Sequence, residues 1–459
     1  MVSVAQQSGV LLLAEELEAL QARLSLAADA RRSIDVQYYI WAGDAVGIAV
    51  IKELLAAAQR GVRIRLLVDD IHFIGYDRRV LGLDAYDNVE IRSFNPFRYR
   101  FRDSPLRSIA EVISGAARLN HRMHNKVFSV DGKAAIVGGR NLSNEYFGAH
   151  PEFNFRDMDI LTVGSAVSLI DASFDEYWHS QWAVPLKELH KLRIKPVIMA
   201  ELLEGLHEQD LKVLQRIDAL SRAEFMAERQ HAFCWCPVEV LADAPHKMHG
   251  HAGFVSPVRQ RLLELDAMAD SEVLIENGYF IPGDDGLLRL REQLQRGVRV
   301  RVLTNSLASN DTGLSHAGYK RYRQRLLEAG VELYETRRDA ALGAWFELGD
   351  HPATAVGLHS KAATIDRQIA FVGSYNLDPR SAFINTEIGL VVHHAGFAEQ
   401  LAQTIEQAMT AANAWRLELD AGRALLWRNE ETLRQEPAAH WRKRIAAGLL
   451  SYLPVERQL

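Results

Sequence analysis

The chain of 459 residues has only two cysteines, Cys234 and Cys236, set one residue apart. They supply neither a disulfide framework nor the four ligands of a structural zinc site. Long apolar runs are missing as well, since none approaches the ~18 residues that a membrane-crossing helix needs. A basic excess is also lacking. Lysine and arginine number 53 against 59 aspartates and glutamates, a net charge of −6, whereas nucleic-acid binders are usually basic. The opening MVSVAQQSGVLLLAEELEAL has no basic start before its short apolar run and turns acidic at once, so it does not read as a secretion signal. What is present is the balance of a globular chain, 48% hydrophobic and 24% charged, which excludes a disordered or fibrous protein. The length asks for two or three domains. Composition thus predicts a soluble, intracellular, multidomain protein.

Self-similarity sharpens this reading. QRGVRIRLL, beginning at Gln59, returns as QRGVRVRVL from Gln295. RSIDVQYYIWAGD, from Arg32, aligns with SEVLIENGYFIPGD, from Ser271, after a small gap. HNKVFSVDGKAAIVGGRNL begins at His124, and HSKAATIDRQIAFVGSYNL begins at His359. Three blocks in one order at a nearly constant offset mean a duplicated domain. A solenoid would repeat every ~20–50 residues.

Each copy alternates strand and helix patterns. Ser33–Tyr39 and Glu272–Asn277 read as strands, Ala49–Gln59 and Leu287–Gln295 as helices ended by glycine, and Val62–Val68 and Val298–Leu303 as buried strands. Lys126–Val130 with Ala134–Val137 forms a strand pair around Asp131-Gly132, matched by Lys361–Ile365 with Ile369–Val372. Strand, helix, strand with short links predicts βαβ units in a mixed, largely parallel sheet flanked by helices. The expected organisation is an α/β domain over 1–186, a mostly helical connector over 187–250, and a second α/β domain with a helical tail over 251–459. Cys234-Trp235-Cys236 belongs to a strand in this reading.

Both copies carry His-x-Lys-x-x-x-x-Asp, then a glycine-rich turn and an asparagine. These are His124, Lys126, Asp131, Gly138, Gly139 and Asn141, then His359, Lys361, Asp366, Gly373, Ser374 and Asn376. On a strand, residues i and i+2 face one side, so each histidine and its lysine point together. A lysine is a point charge for a phosphate oxygen, and an asparagine amide is a neutral donor. Two copies facing each other gather two of each around one phosphate. One imidazole then attacks phosphorus while the other protonates the leaving oxygen. Two cations stabilise the equatorial oxygens, a task often left to a metal. No dense cluster of Asp, Glu and His calls for a metal or other cofactor.

These motifs resemble the phospholipase D superfamily, whose HKD motif occurs twice, here as HNKVFSVD and HSKAATID. DVQYYIW, RMHNK, VGGRNLSNEYF, GSYNLDPRS and NTEIGL are most similar to the bacterial cardiolipin synthase branch, in particular its cardiolipin synthase C-like group. The resemblance runs from about Ser33 to Leu390. It implies two duplicated α/β domains related by a pseudo-twofold, one active site at their interface, a covalent phosphohistidine and no metal. It also implies His124 as nucleophile, His359 as general acid and base, and Lys126, Lys361, Asn141, Asn376 and Ser374 around the phosphate. Asp131 and Asp366 are expected to brace the fold. Glu387 in NTEIGL and Asp157 in FRDMDI match the acidic residues that orient the histidines. The first copy has Gly139 where the second has Ser374, so a donor hydroxyl is expected on one side.

The implied reaction is phosphatidyl transfer from one phosphatidylglycerol to another, with hydrolysis by a phospholipase D as the alternative and a superfamily nuclease as the more remote one. The implied partners are phospholipid substrates and an anionic membrane, with no nucleic acid, at the surface of a bacterial inner membrane. Two stretches fit a membrane surface. Ser93 to Lys126 holds six arginines and one lysine against Asp103 and Glu111, with Phe97, Tyr99 and Phe101 interleaved. The tail His440-Trp441-Arg442-Lys443-Arg444 runs into Ile445, Leu449, Leu450, Tyr452 and Leu453. Both read equally as packed structure. Tyr38, Tyr39, Trp41, Tyr279 and Phe280, at strand ends, are candidates for the cleft wall.

Overall fold

The computed structural model describes residues 2–70, 82–97, 116–189, 195–196, 199–220, 222, 225–249, 255–341, 348 and 354–450. The first copy opens with β1 (Val2–Leu13), α1 (Glu16–Asp29), β2 (Ser33–Tyr38), α2 (Ala45–Gln59), β3 (Arg63–Asp69) and β4 (Val89–Phe94). It continues with β5 (Val127–Val130), β6 (Ala134–Gly138), β7 (Phe153–Arg156), β8 (Asp159–Gly164), a helix at Ser165–Trp178 and β9 (Ala183–Pro185). The second copy holds β10 (Cys234–Ala242), β11 (Glu272–Asn277), β12 (Arg299–Asn305), β13 (Glu332–Thr336), β14 (Ala355–Leu358), β15 (Lys361–Ile365), β16 (Ile369–Gly373) and β17 (Ile388–His393). A helix at Ala395–Ala408 and the strands β18 (Ala414–Leu419), β19 (Leu425–Arg428) and β20 (Thr432–Leu433) follow.

Local chemistry explains the repeated blocks. Asp44 opens α2 by accepting the Gly47 amide at 3.1 Å, an N-cap. In each QRGV block the glycine ends a helix in the left-handed region, Gly61 at φ +87° and Gly297 at φ +88°. A side chain is costly there, so the same residue returns in both copies. Gly47 answers a different need, because a Cβ on it would stand 1.8 Å from the Ala42 carbonyl oxygen.

The pairings run β9-β4-β3-β2-β5-β6-β8-β1 through the first copy and β10-β17-β16-β15-β11-β12-β13-β18-β19-β20 through the second. β1 and β10 pair antiparallel and fuse the halves into one 18-stranded sheet. The duplicated α/β architecture is as expected, but its sheet is not largely parallel. Among the described strands, parallel pairs are confined to β2–β3–β4, β11–β12–β13 and the separate β7–β14 ladder. Parallel neighbours close in sequence need a long crossover, usually a helix, whereas the hairpins that carry the two motifs pair antiparallel.

β1 comes from the apolar run near the chain start. Its faces alternate: Leu11 and Leu13 enter the core under α1 and α2, while Val10 and Leu12 enter the central core. The helices Ser165–Trp178 and Ala395–Ala408 cover that central core with Ala166, Val167, Ile170, Phe397, Leu401 and Ile405. Residues 199–229 hold three helices, of which Glu208–Ala219 packs Val213, Leu214 and Ile217 into the first core. Cys234 and Cys236, both free, lie on β10 within the expected connector, so sheet structure begins there before residue 251.

Candidate active site

Each histidine is fastened to the opposite copy. The His124 amide donates to the Thr386 carbonyl at 3.0 Å, and the His359 amide donates to the Arg156 carbonyl at 2.9 Å. The residues after these two carbonyls are Glu387 and Asp157. That register brings each carboxylate to the other copy's imidazole. His124 Nδ1 lies 2.9 Å from Glu387 Oε2, and His359 Nδ1 lies 2.7 Å from Asp157 Oδ2. A carboxylate on Nδ1 holds the proton there and leaves the Nε2 lone pair free. The imidazole centroids are 6.4 Å apart. Two His–carboxylate pairs thus face one another across the interface of the copies.

The lysines close the ring. Lys126 Nζ donates to the His124 carbonyl at 2.6 Å, Lys361 Nζ donates to the His359 carbonyl, and both ammonium groups are buried. Lys126 Nζ stands 5.6 Å from the Tyr39 ring centre and Lys361 Nζ 5.6 Å from that of Tyr279. Tyr39 also meets His124 edge-on at 5.2 Å, and Tyr279 meets His359 at 5.9 Å. These two of the five strand-end aromatics reach the site. Tyr38 accepts a bond from Arg23 instead, Trp41 donates to the Gly47 carbonyl, and Phe280 packs in the second core.

Asn141 takes the Ile40 amide on Oδ1 at 3.2 Å and leaves Nδ2 buried without a hydrogen-bond partner. In Asn376 the buried atom left unpartnered is Oδ1. Ser374 donates to Glu387 Oε2, while a Cβ on Gly139, its counterpart, would stand 2.1 Å from Asp157 Oδ1. A serine does not fit on the first side. The motif aspartates are outside the cleft. Asp131 accepts the amides of Arg31, Arg32 and Ser33 at 3.0, 2.6 and 2.9 Å. Asp366 accepts those of Asp270, Ser271 and Glu272 at 2.9, 2.7 and 2.8 Å.

Burial governs the charges. It lowers His124 to about 4, with Lys126 and Lys361 adding to the fall and Glu387 opposing it. His359 is pushed well down by burial, Lys361 and Lys126. Lys361 falls to about 8 through burial, against the pull of Asp157 and Glu387, and burial also pushes Lys126 well down, with Glu387 opposing and Lys361 adding to the fall. Burial pushes the Glu387 carboxyl up, but His124, Lys126 and Ser374 outweigh it and leave it below the usual value. Asp157 stays raised by burial. Both imidazoles are therefore neutral at pH 7, beside two buried amines.

Sequence reasoning missed several neighbours. Tyr146 and Phe155 flank the His359 ring at 5.0 and 5.3 Å. Asp159 is buried against Arg23 at 2.8 Å and Arg140 at 3.2 Å. Ser381 touches Glu387, and its signal was the Asp378-Pro379 start of a short helix. Of the basic-aromatic stretch, residues 98–115 lie outside the described residues, as do residues 451–459 of the tail. The helix Trp441–Leu450 buries Ala447, exposes Ile445 and ties Lys443 Nζ to the Asn310 carbonyl at 3.0 Å. No described helix is long and apolar enough to cross a membrane.

The family model for the cardiolipin synthase, PLD-like domain matches residues 24–178 and 262–409. Cardiolipin synthase C of Escherichia coli strain K12 is 37% identical over 98% of this chain and 96% of its own length. A cardiolipin synthase of Geobacillus kaustophilus is 25% identical over 88% of this chain and 66% of its own length. The crystal structure of a phosphatidylserine synthase from Haemophilus influenzae superposes with a TM-score of 0.62 at 12% identity, covering 98% of this chain and 95% of that one, which shows a shared fold. On the strength of the two matched regions and the full-length likeness, this chain belongs to the cardiolipin synthase family with PLD-like domains.

Proposed function

We propose that the chain is a phosphatidyltransferase of the cardiolipin synthase type, using phosphatidylglycerol as donor and acceptor. The crossed pairs His124–Glu387 and His359–Asp157, facing each other at 6.4 Å between Lys126 and Lys361, carry this reading. His124 Nε2 attacks phosphorus, the bond from phosphorus to the glycerol oxygen breaks, and that oxygen takes a proton from His359. The ring of His124 becomes cationic, with Glu387 against its Nδ1–H. The primary hydroxyl of a second phosphatidylglycerol then attacks phosphorus and gives its proton to His359. The phosphorus–nitrogen bond breaks, releasing cardiolipin and restoring His124. Lys126, Lys361 and the unpartnered Nδ2 of Asn141 hold the phosphate oxygens throughout, with Asn376 beside them.

The lowered His359 fits a general acid once substrate is considered. Burial, then Lys361 and Lys126, hold its proton affinity down. An arriving phosphodiester anion offsets both cations and raises it. Asp131 and Asp366 act as braces for the starts of β2 and β11. The protein works as a peripheral enzyme on anionic bacterial inner membrane and needs no nucleic-acid partner. Incubation with phosphatidylglycerol vesicles tests the reading. Cardiolipin plus glycerol supports it, phosphatidic acid plus glycerol indicates a hydrolase, and salt-sensitive DNA cleavage without lipid turnover indicates a nuclease.

A further inference from the structure

Glu387 has a second oxygen whose contacts the reaction above leaves unused. Ser381 Oγ donates to Glu387 Oε1 at 2.7 Å, and the same hydroxyl accepts the backbone amide of Asn376 at 3.2 Å. It thereby joins the carboxylate that orients His124 to the motif asparagine of the second copy. Ser381 is fully buried and held at both ends. Its amide is capped by Asp378 Oδ1 at 2.7 Å, and its carbonyl accepts Lys247 Nζ at 2.8 Å. Lys247 is itself buried, pairing with Asp243 Oδ2 at 2.7 Å. Asp243 receives the Ser256 hydroxyl at 2.6 Å, and its amide donates to the Glu387 carbonyl at 2.9 Å. A closed set of buried bonds runs from Glu387 through Ser381, Lys247 and Asp243 back to Glu387.

Among the described residues the first copy has no such set. The offset of the two motifs places Tyr146 where Ser381 stands. Tyr146 turns its ring edge-on to His359 at 5.0 Å. Asp157 Oδ1 is met by the amide of its own neighbour, Met158, at 2.8 Å. The two His–carboxylate pairs are thus alike in their histidines and unlike in what stands behind the carboxylates.

We propose that Ser381 is a positioning residue, braced by the Lys247–Asp243 pair, that holds Glu387 ionised and fixed against His124 and so reserves that pair for the nucleophilic role. The proposal rests on the phosphatidyltransferase reading. A buried carboxylate keeps its charge only when donors meet its oxygens, and Ser381 is the side-chain donor on Oε1. The charged and titratable groups that act on Glu387 include His124, Lys126, Lys361, His359 and Tyr39 at the site, and Asp243, Asp378 and Tyr375 behind it. Lys247 stands behind them, bonded to Asp243. The two aspartates oppose the charge on Glu387, so a lost donor is not made good from that side.

The test compares the full-length protein with Ser381→Ala and Ser381→Thr. Single-turnover formation of the phosphohistidine on phosphatidylglycerol vesicles is followed against pH, with thermal melts as a check on folding. Ser381→Ala is expected to slow phosphohistidine formation roughly ten- to a hundredfold, the usual effect of losing a bond to a charged group. It is also expected to raise the apparent pKa of the His124–Glu387 pair, moving the acidic limb up by about one pH unit. Ser381→Thr keeps the hydroxyl and restores the limb. An Ala variant that melts like the parent with an unmoved limb overturns the proposal, as does a Thr variant as impaired as Ala. NMR titration of His124 in 13C-histidine-labelled protein reads the same shift without turnover. A parent protein inactive on vesicles therefore defeats the functional reading, while an unmoved His124 titration defeats the role of Ser381.

Discussion

Replacing Glu387 by glutamine isolates one charge at the centre of the site. In the proposed reaction His124 Nε2 bonds to phosphorus, which leaves both ring nitrogens substituted and the ring cationic. The carboxylate 2.9 Å from Nδ1 is the group that meets this charge. Charges about 4 Å apart at an effective dielectric constant near 20 attract by about 4 kcal/mol. The net value of a hydrogen bond to a charged group is smaller, about 1.5–3 kcal/mol. A loss of about 2–4 kcal/mol in the transition state corresponds to a rate roughly 30- to 1000-fold lower. Ser374 already donates to Oε2, the oxygen that meets Nδ1, and Ser381 donates to Oε1. The glutamine NH2 must therefore face a donor or turn toward Nδ1, where it imposes the wrong tautomer. The assay is rapid-quench labelling with 32P-phosphatidylglycerol in vesicles, at substrate below enzyme, with thermal melts alongside. A variant that melts like the parent and labels within about threefold of its rate refutes this account of Glu387.

Further outcomes follow from the same geometry. Lys361 titrates near 8, so kcat/KM is expected to fall as pH rises through about 8, and Lys361→Arg to remove that limb while keeping a cation in place. Asp131→Ala strands the amides of Arg31, Arg32 and Ser33 and is expected to cost about 2–4 kcal/mol in urea unfolding, with Asp131→Asn costing less. The folded-state pKa of Asp131 is lowered. Its contribution is therefore present above the unfolded carboxylate value and is lost as pH falls through the folded one. Asp159→Ala leaves Arg23 and Arg140 buried without their anion and is expected to destabilise by about 3–5 kcal/mol in the same measurement.

Much of this protein was legible in its sequence because duplication wrote it twice. The βαβ units, the hairpins behind His124 and His359, and the glycines Gly61 and Gly297 follow from local rules of pattern, turn and handedness. The motif residues also announce their chemistry, since His and Lys two apart on an extended segment share a face. Local pattern did not extend to β1, whose apolar run has meaning only once β8 and β10 stand on either side. It also overstated the parallel sheet, because strand pairing depends on which neighbours meet and not on the strands alone.

The sequence by itself determined the two-copy α/β plan, the paired motifs and the identities of both carboxylates. Only the tertiary structure decided that Glu387 serves His124 and Asp157 serves His359, because the crossed backbone bonds to Thr386 and Arg156 form between residues more than two hundred positions apart. It alone also separated Tyr39 and Tyr279 from the packed Tyr38, Trp41 and Phe280, and set Ser381 behind one carboxylate with nothing like it among the described residues behind the other. The physical reason is common to all three. Burial and partner geometry fix charge, tautomer and orientation, and neither exists until the two copies close on each other.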